Sequence, residues 1–386
     1  MQRAVGGGYW RGPLAGLAGA LVGIGLARFA YTPLIPAIIV AGWFSAPQAA
    51  YLGAANLIGY LVGALAARAV ARRVPVRAAL RASMLGAIVA ILACTTPLSF
   101  AWFFVWRFVA GVVGGVIMVL AAPAVLAVVP AGRRGLAGGL VFTGVGIGIA
   151  LSGIVVPLLL RLGLPAAWLG LAALAAALTA ASWFAWPNAP VSAAARRTRL
   201  GGTVLVVIVE YGLNALGVVP HMIFLVDFVA RGLHRGMASG AAYWVAFGLG
   251  AMAGPFAAGT LADRIGFRHA LRLALIAETI AVAAPLLTTG PAALFASAMV
   301  VGAFTPGVAP LALGRIHMEL APGSEAARAA WSGATVAWAV GQAAGAQALA
   351  FLFARSASYA PLFMAGTAAL LLALLLDLGT AARRGA

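Results

Sequence analysis

The stretch GIGLARFAYTPLIPAII, residues 23–39, is dominated by apolar residues and carries a single charge, that of Arg28. It belongs to an apolar run over residues 12–40, and a helix needs only about 20 such residues to cross a bilayer. A charge near the middle of a span costs several kcal/mol, so we expect Arg28 to face a partner, a water-filled cavity or a ligand. Snorkelling is not expected, because Arg28 lies roughly 20 Å from either end of the span.

The composition of the whole chain indicates that further segments also lie in a membrane. Of its 386 residues, 64% are hydrophobic and 8% are charged, whereas soluble domains have about 25% charged residues. The apolar runs are continuous rather than alternating, which excludes a β-barrel and predicts an all-α integral membrane protein. The first span is too long for a signal-peptide core and is expected to be retained. We predict twelve spans, near residues 12–40, 48–68, 78–97, 99–129, 136–160, 164–187, 203–229, 238–262, 271–289, 291–314, 328–354 and 359–379.

The net charge of +18 comes from arginines spread along the chain. A nucleic-acid partner would require them to cluster on one soluble face, so none is expected. With the N-terminus inside, nineteen arginines fall on the cytoplasmic side of the twelve spans and four outside, which is the positive-inside bias. We predict a multi-pass protein of a bacterial cytoplasmic (inner) membrane with both termini cytoplasmic. The cytoplasmic set is Arg3, Arg11, Arg68, Arg72, Arg73, Arg77, Arg81, Arg133, Arg134, Arg196, Arg197, Arg199, Arg264, Arg268, Arg272, Arg315, Arg328, Arg383 and Arg384.

Motifs for catalysis or cofactor binding are missing from the sequence. Cys94 is the single cysteine, so neither a disulfide framework nor a cysteine metal site is expected. The glycine-rich GVGIGIALSG, residues 144–153, lacks the preceding strand and following acidic residue of a dinucleotide loop. We therefore predict no enzyme activity, no cofactor and no metal. Energy for any work would come from ion or solute gradients.

The chain divides into two similar halves. Its longest polar connection follows the sixth predicted span, which gives bundles over residues 1–187 and 203–386 joined by a cytoplasmic loop over 188–202. GALAAR, residues 63–68, aligns with GTLADR, residues 259–264, at a separation of 196 residues. Two six-helix halves around a central site are a common construction of secondary transporters.

Three motifs carry a specific resemblance. GTLADRIGFRHAL, residues 259–271, resembles the signature loop of the major facilitator superfamily (MFS), although the first-half copy has Ala67 where that family usually has aspartate. WRFVAGVVGG, residues 106–115, is similar to the family's fourth-helix motif. Within the superfamily, RFAYTPLIP and FTGVGIGIALSG resemble the YbfB/YjiJ-type group. The resemblance implies a monomer with twelve helices in two pseudo-symmetric bundles, and a cavity lined by the first, fourth, seventh and tenth helices.

This resemblance defines candidate substrate-binding residues. Arg28 is either a ligand for an anionic substrate or half of a buried ion pair, with Tyr31 and Asn214 in support. Arg107 matches the fourth-helix arginine, for which the resemblance implies a role in coupling or interhelical hydrogen bonding. An equally good reading has Arg107 donating to backbone carbonyls to hold helices together. Lesser candidates are Asn56, Gln342 and Gln347.

The acidic residues all lie in the second half, so the two intramembrane arginines must be neutralised across the cavity or by the substrate. Glu210 is the best internal candidate, as a proton carrier or gate partner, and Asn214 lies one turn away on the same face. His221 titrates near neutrality if exposed, but a hydrogen-bond role is the alternative. Asp227 is expected to be solvated. The seven acidic residues are Glu210, Asp227, Asp263, Glu278, Glu319, Glu325 and Asp377.

Conformational gating is assigned to the signature loop, where the resemblance implies a charge contact between helices involving Asp263, Arg264 and Arg268. The resulting expectation is a secondary active transporter for a small organic solute, a carboxylate-bearing anion, coupled to protons and embedded in the lipid bilayer. The alternative is proton-coupled efflux of drugs or hydrophobic metabolites. A non-transporting receptor on the same fold is a third class, disfavoured because the sequence offers no soluble sensing domain.

Overall fold

The computed structural model describes residues 10–130, 133–188, 200–321 and 324–385. Residues 189–199 of the connection predicted at 188–202 lie outside these ranges. All regular elements in the described ranges are helical, and eleven helices are long and apolar enough to cross a membrane. The first seven are α1 Arg11–Val40, α2 Ala46–Arg73, α3 Val76–Ala93, α4 Phe100–Ala127, α5 Arg134–Leu160, α6 Leu164–Ser182 and α7 Gly202–Gly232.

The eighth helix, Gly236–Leu287, is broken in its interior. Its 52 residues would span about 78 Å at 1.5 Å per residue, more than twice the hydrocarbon core. Gly266 has φ 81° and ψ 154°, a conformation that is essentially restricted to glycine. We label the two segments α8 (236–265) and α9 (267–287). The remaining helices are α10 Pro291–Glu319, α11 Glu325–Ser356 and α12 Ala360–Gly379.

Two of these helices have widened turns. α1 is π-helical over Leu21–Phe29, the segment that contains Arg28. α7 is π-helical over Pro220–Phe224 and Phe228–Gly232. π-helical turns are rare in proteins overall, but those that occur lie frequently at functional sites. They place irregular backbone in the middle of α1 and in the later part of α7.

Helices α2 and α4 approach each other through glycines. A Cβ atom on Gly59 would collide with the carbonyl oxygen of Phe108, and one on Gly63 would collide with that of Val112. Glycine at such spacing lets two helix backbones come into direct contact within a bilayer. Gly59 and Gly63, four residues apart, therefore form the contact surface of α2 with α4.

Helices α8 and α10 repeat this contact. Gly250 faces the carbonyl of Met299, and Gly254 faces the carbonyl of Ala303. Each of these four residues lies 191 positions after its counterpart in the first half (250 − 59, 254 − 63, 299 − 108, 303 − 112). The duplication proposed from the sequence therefore has a structural basis, but at a different offset.

The offset of 196 residues inferred from GALAAR and GTLADR is wrong. It pairs the tightly packed Gly63 with Gly259, whose Cβ position has no neighbour within 4 Å. At 191 residues, Arg72 rather than Ala67 corresponds to Asp263, and Pro75 corresponds to the helix-breaking Gly266. The first-half copy of the signature loop thus carries arginine at the aspartate position.

Several helix contacts join the two halves of the chain. α2 packs against α11 and against residues 220–224 of α7, α5 packs against α8, and residues 31–40 of α1 pack against α7 and against the 236–287 segment. Between α5 and α8, the indole N–H of Trp244 donates to the hydroxyl of Ser152 over 3.1 Å. These contacts surround the centre of the protein, where Arg28 lies.

Candidate functional site

A small cavity lies at the centre, where α1, α2, α4 and α7 meet. Its volume is about 20 Å³, which is room for about one water molecule. Its lining is part polar and part apolar. The polar lining residues are Arg28, Tyr31, Thr32, Asn56 and Arg107, and the apolar ones include Ile35, Leu57, Met222 and Ile223.

Arg28 faces this cavity with only 9% of its surface exposed. Its Nη2 donates to Oε1 of Gln342 on α11 over 2.8 Å. The guanidinium also lies over the rings of Phe29 and Tyr60, 4.7 and 5.2 Å from their centroids. Among the described residues no carboxylate lies within 4.0 Å of Arg28. The internal ion pair considered from the sequence is not formed.

Arg107 also lines the cavity and is buried, and backbone carbonyls hold its guanidinium group. Its Nη1 donates to the carbonyl of Ala27 over 2.7 Å, and its Nη2 donates to that of Arg28 over 3.3 Å. Both acceptors belong to the π-helical segment of α1. The guanidinium lies 4.4 Å from the ring centroid of Tyr31. Arg107 therefore joins α4 to α1, as the backbone reading of the sequence proposed, and it lines the cavity as well.

The other polar residues of the wall also make defined contacts. Tyr31 donates its hydroxyl to the carbonyl of Ala49 over 2.9 Å. Thr32 donates to the carbonyl of Met222 over 2.8 Å. Because Thr32 is on α1 and Met222 is on α7, this bond joins the two halves, as the bond from Arg28 to Gln342 does. Neither Thr32 nor its partner had been singled out in the sequence, which offers no signal for a bond over 190 residues.

Asn214 does not lie in this cavity. Its Nδ2 donates to Oε2 of Glu278 over 2.5 Å, and it lines a separate buried space with Glu210 and Tyr211. Both carboxylate oxygens of Glu210 are buried without a hydrogen-bond partner. The structure therefore brings Arg28, Tyr31 and Arg107 together, and separates them from Asn214 and Glu210.

A buried ion cluster in the electrostatic neighbourhood of Glu210 was not predicted from the sequence. Arg272 on α9 donates to the carboxylate of Asp377 on α12. Nη2 of Arg315 lies 3.5 Å from Oδ1 of Asp377. Arg315 had been counted among the arginines on the cytoplasmic side, with the tenth span predicted to end at residue 314. The helix continues to Glu319, so Arg315 lies within α10 and its side chain is fully buried. The available signal was Asp377, an ionisable residue inside a predicted span.

His221 lies within the second half and does not line the cavity. Its Nε2 is 2.7 Å from the hydroxyl of Ser297, and that hydroxyl donates to the carbonyl of Ala281 over 2.6 Å. Since a serine has one proton, Ser297 accepts from the Nε2–H of His221. The arrangement is that of a histidine serving as a hydrogen-bond donor.

The expectation that Asp227 is solvated is wrong. Asp227 is 2% exposed and accepts two hydrogen bonds from Arg231, over 2.5 and 2.7 Å. Tyr359 adds a third over 2.6 Å. The ion pair lies within α7 and allows the carboxylate to be buried. The hydrogen bond from Tyr359 attaches α7 to the start of α12.

The predicted gating residues lie around the break at Gly266. Asp263 and Arg264 are exposed and Arg268 is half-buried. Neither Asp263 nor Arg264 takes part in any ion pair found among the described residues. The predicted charge contact between helices is not made in this structure.

Comparison with known proteins identifies the family. A family described as "Uncharacterised MFS-type transporter YbfB" matches residues 20–378, a range that contains every residue of the cavity wall. The chain belongs to this family. No curated protein matches it. The part of the chain that the structure describes contains eleven long apolar helices, so this MFS-type transporter is a multi-pass membrane protein. The resemblance to YbfB-type transporters is confirmed.

Proposed function

We propose that this MFS-type transporter is a secondary active transporter that moves a small carboxylate-bearing anion together with protons. The observation that carries the proposal is the pair of arginines in the central cavity. Arg28 and Arg107 are both buried, and no carboxylate among the described residues pairs with either. A carboxylate from the substrate would supply the missing negative charge.

The partners of the two arginines support different roles. Arg107 is oriented by two backbone carbonyls, so it contributes positive charge from a fixed position. Arg28 has one side-chain acceptor, the neutral amide of Gln342. A carboxylate offers the guanidinium an opposite charge and two parallel acceptors, which the single amide oxygen of Gln342 does not. Arg28 is therefore the residue proposed to bind the substrate directly.

The proposed mechanism is alternating access between two six-helix bundles in twelve spans. Two hydrogen bonds join the halves at the cavity, from Arg28 to Gln342 and from Thr32 to Met222. A cavity that holds about one water molecule has to widen to admit a metabolite. Separation of α1 from α7 and α11 would widen it and would break both bonds.

Glu210 is the proposed proton carrier. It is 2% exposed and neither of its carboxylate oxygens has a partner. Burial of an ionised carboxylate without a partner is costly, whereas a neutral carboxyl is tolerated far better. Its electrostatic neighbours are Asp377, Arg315 and Arg272. A shift of these helices would change the charge around Glu210 and so its proton occupancy.

Thermal unfolding of the purified protein tests the anion proposal. We expect acetate, 3-methylbutanoate or another small carboxylate to stabilise the wild type, by about 2.7 kcal/mol at a hundredfold excess over Kd. Arg28→Gln should abolish the effect. The matched control is Arg161→Gln, because Arg161 is exposed at the end of α5; this variant should respond like the wild type.

The opposite outcome would favour the efflux alternative. If tetraphenylphosphonium, a lipophilic cation, stabilises the wild type and Arg28→Gln equally while carboxylates stabilise neither, the aromatic residues and not Arg28 bind the substrate. The anion proposal would then be abandoned.

A further inference from the structure

The cavity lining contains two buried polar atoms that have no hydrogen-bond partner among the described residues. One is Oδ1 of Asn56 and the other is Nε of Arg107. The two side chains are 1% and 2% exposed, and both line the cavity. Buried polar atoms are nearly always satisfied, so each unsatisfied atom calls for an explanation.

The two atoms have opposite hydrogen-bonding character. The orientation of Asn56 is fixed, because its Nδ2 donates to the carbonyl of Arg107 over 3.1 Å and an oxygen could not take that place. Oδ1 is therefore an acceptor that requires a donor. Nε of Arg107 is a donor that requires an acceptor.

A ligand that satisfies both atoms has a carboxylate next to a hydrogen-bond donor. The carboxylate would accept from Arg107 Nε and from the N–H groups of Arg28 that are not used by Gln342. The donor has to be uncharged, because an ammonium group would lie beside two guanidinium groups that already repel each other electrostatically. A hydroxyl group meets this requirement.

The apolar part of the cavity lining sets the rest of the ligand. Ile35, Leu57, Met222 and Ile223 present apolar side chains to the cavity, and apolar walls with a few placed polar groups are typical of small-molecule sites. We propose that the transported anion is a small 2-hydroxy monocarboxylate with a short apolar body, its hydroxyl donating to Asn56. This inference rests on the proposed anion transport and names the substrate class.

Three probes with the same carbon skeleton test it. These are 2-hydroxy-3-methylbutanoate, 3-methylbutanoate and valine, which differ at the second carbon by a hydroxyl, a hydrogen or an ammonium group. Their affinities for the purified wild-type protein are measured by isothermal titration calorimetry. Since an unpaired buried acceptor is costly, we expect the hydroxy acid to bind at least tenfold more tightly than either of the others.

A variant then tests whether Asn56 causes the preference for the hydroxy acid. Asn56→Leu should bind the hydroxy acid and 3-methylbutanoate with affinities that agree within about threefold, because the acceptor is gone. Thr179→Val is the control, since Thr179 is equally buried but donates within its own helix to Ala175. This variant should keep the wild-type preference. The wild-type comparison needs no variant and stands if Asn56→Leu does not fold.

The outcomes separate this inference from the proposed function. Equal binding of the hydroxy acid and 3-methylbutanoate to the wild type overturns the hydroxyl inference and leaves anion transport in place. Tightest binding of valine overturns it as well. Binding of none of the three carboxylates, together with binding of tetraphenylphosphonium, overturns both.

Discussion

Arg28 and Arg107 line one cavity, yet their guanidinium groups are used differently. Arg107 donates to two backbone carbonyls of α1, whereas Arg28 donates to a side-chain amide across the interface between the halves. The sequence located both arginines, because charges inside apolar spans are conspicuous. It left their partners open, since Gln342 is 314 residues from Arg28.

Proton coupling is a second property at the scale of single residues. Replacing Glu210 by glutamine keeps its shape and removes its proton exchange. We expect Glu210→Gln in proteoliposomes to lose uptake driven by an inwardly directed proton gradient. Exchange of labelled for unlabelled substrate across the membrane should persist, because it needs no net proton movement.

The control for this variant is Glu325→Gln. Glu325 is an exposed carboxylate in the first turn of α11, so its replacement should leave gradient-driven uptake within about twofold of the wild type. A Glu210→Gln transporter that still responds to the proton gradient would assign coupling to another group.

The contacts between whole helices depend on glycines whose positions the sequence shows but whose partners it does not. Gly254 meets the carbonyl of Ala303, while Gly259 in the same helix meets nothing within 4 Å. From the sequence alone, Gly254 and Gly259 are equivalent small residues of one membrane helix. Only the helix opposite distinguishes a contact glycine from an exposed one.

This difference gives a prediction for α8. Gly254→Ala forces the backbones of α8 and α10 apart and should lower stability by about 1–3 kcal/mol, the usual cost of overpacking. Gly259→Ala should cost nothing, since its Cβ enters open space. Thermal unfolding of both purified variants measures the difference. Equal melting temperatures would mean that α8 and α10 do not touch as described.

Substitution of Gly266 tests the break between α8 and α9. Its Cβ position is also free of neighbours, so any cost of substitution comes from its backbone conformation, φ 81°. Gly266→Ala should destabilise the protein by about 1–3 kcal/mol, with Gly259→Ala again as the control. A Gly266→Ala protein as stable as the wild type would argue for one continuous helix at this position.

At the scale of the whole molecule, the two halves are joined at the cavity by few polar bonds. The hydroxyl of Thr32 donates to the carbonyl of Met222, and residues 31–40 of α1 pack against α7. If the proposed alternating access is correct, this contact closes one side of the cavity. Weakening this contact should favour the conformation in which the cavity is open on the side that the contact closes.

Thr32→Val removes the hydrogen bond and keeps the shape of the side chain. We expect it to speed the reaction of a cysteine at Ile35, which lines the cavity, with a membrane-impermeant maleimide added outside cells. The measurement uses a Cys94→Ser background, so that Ile35→Cys is the only thiol. A change of about threefold or more is expected from loss of roughly 1 kcal/mol.

Thr367→Val is the matched control for this experiment. Thr367 donates to the carbonyl of Phe363 within its own helix, so its hydroxyl does not join the halves. Labelling at Ile35→Cys should be unchanged in this variant. Slower labelling in Thr32→Val would show that the bond holds the cavity open rather than closed.

The sequence by itself determined that this chain is a membrane protein built of long apolar helices, and its motifs identified the family. These properties are local, since insertion into lipid depends on the apolar content of each segment and on backbone hydrogen bonds within it. The uneven distribution of charged residues between the two halves was also visible in the sequence. It led to Arg28, to Arg107 and to the absence of carboxylates from the first half.

Tertiary structure alone decided which residues meet. It set the repeat offset at 191 residues, buried Arg315 beside Asp377, and separated Glu210 and Asn214 from the arginines. These features depend on how helices that are distant in the chain rotate and approach one another. Close packing fixes those rotations through many weak contacts at once, and no single stretch of sequence contains them.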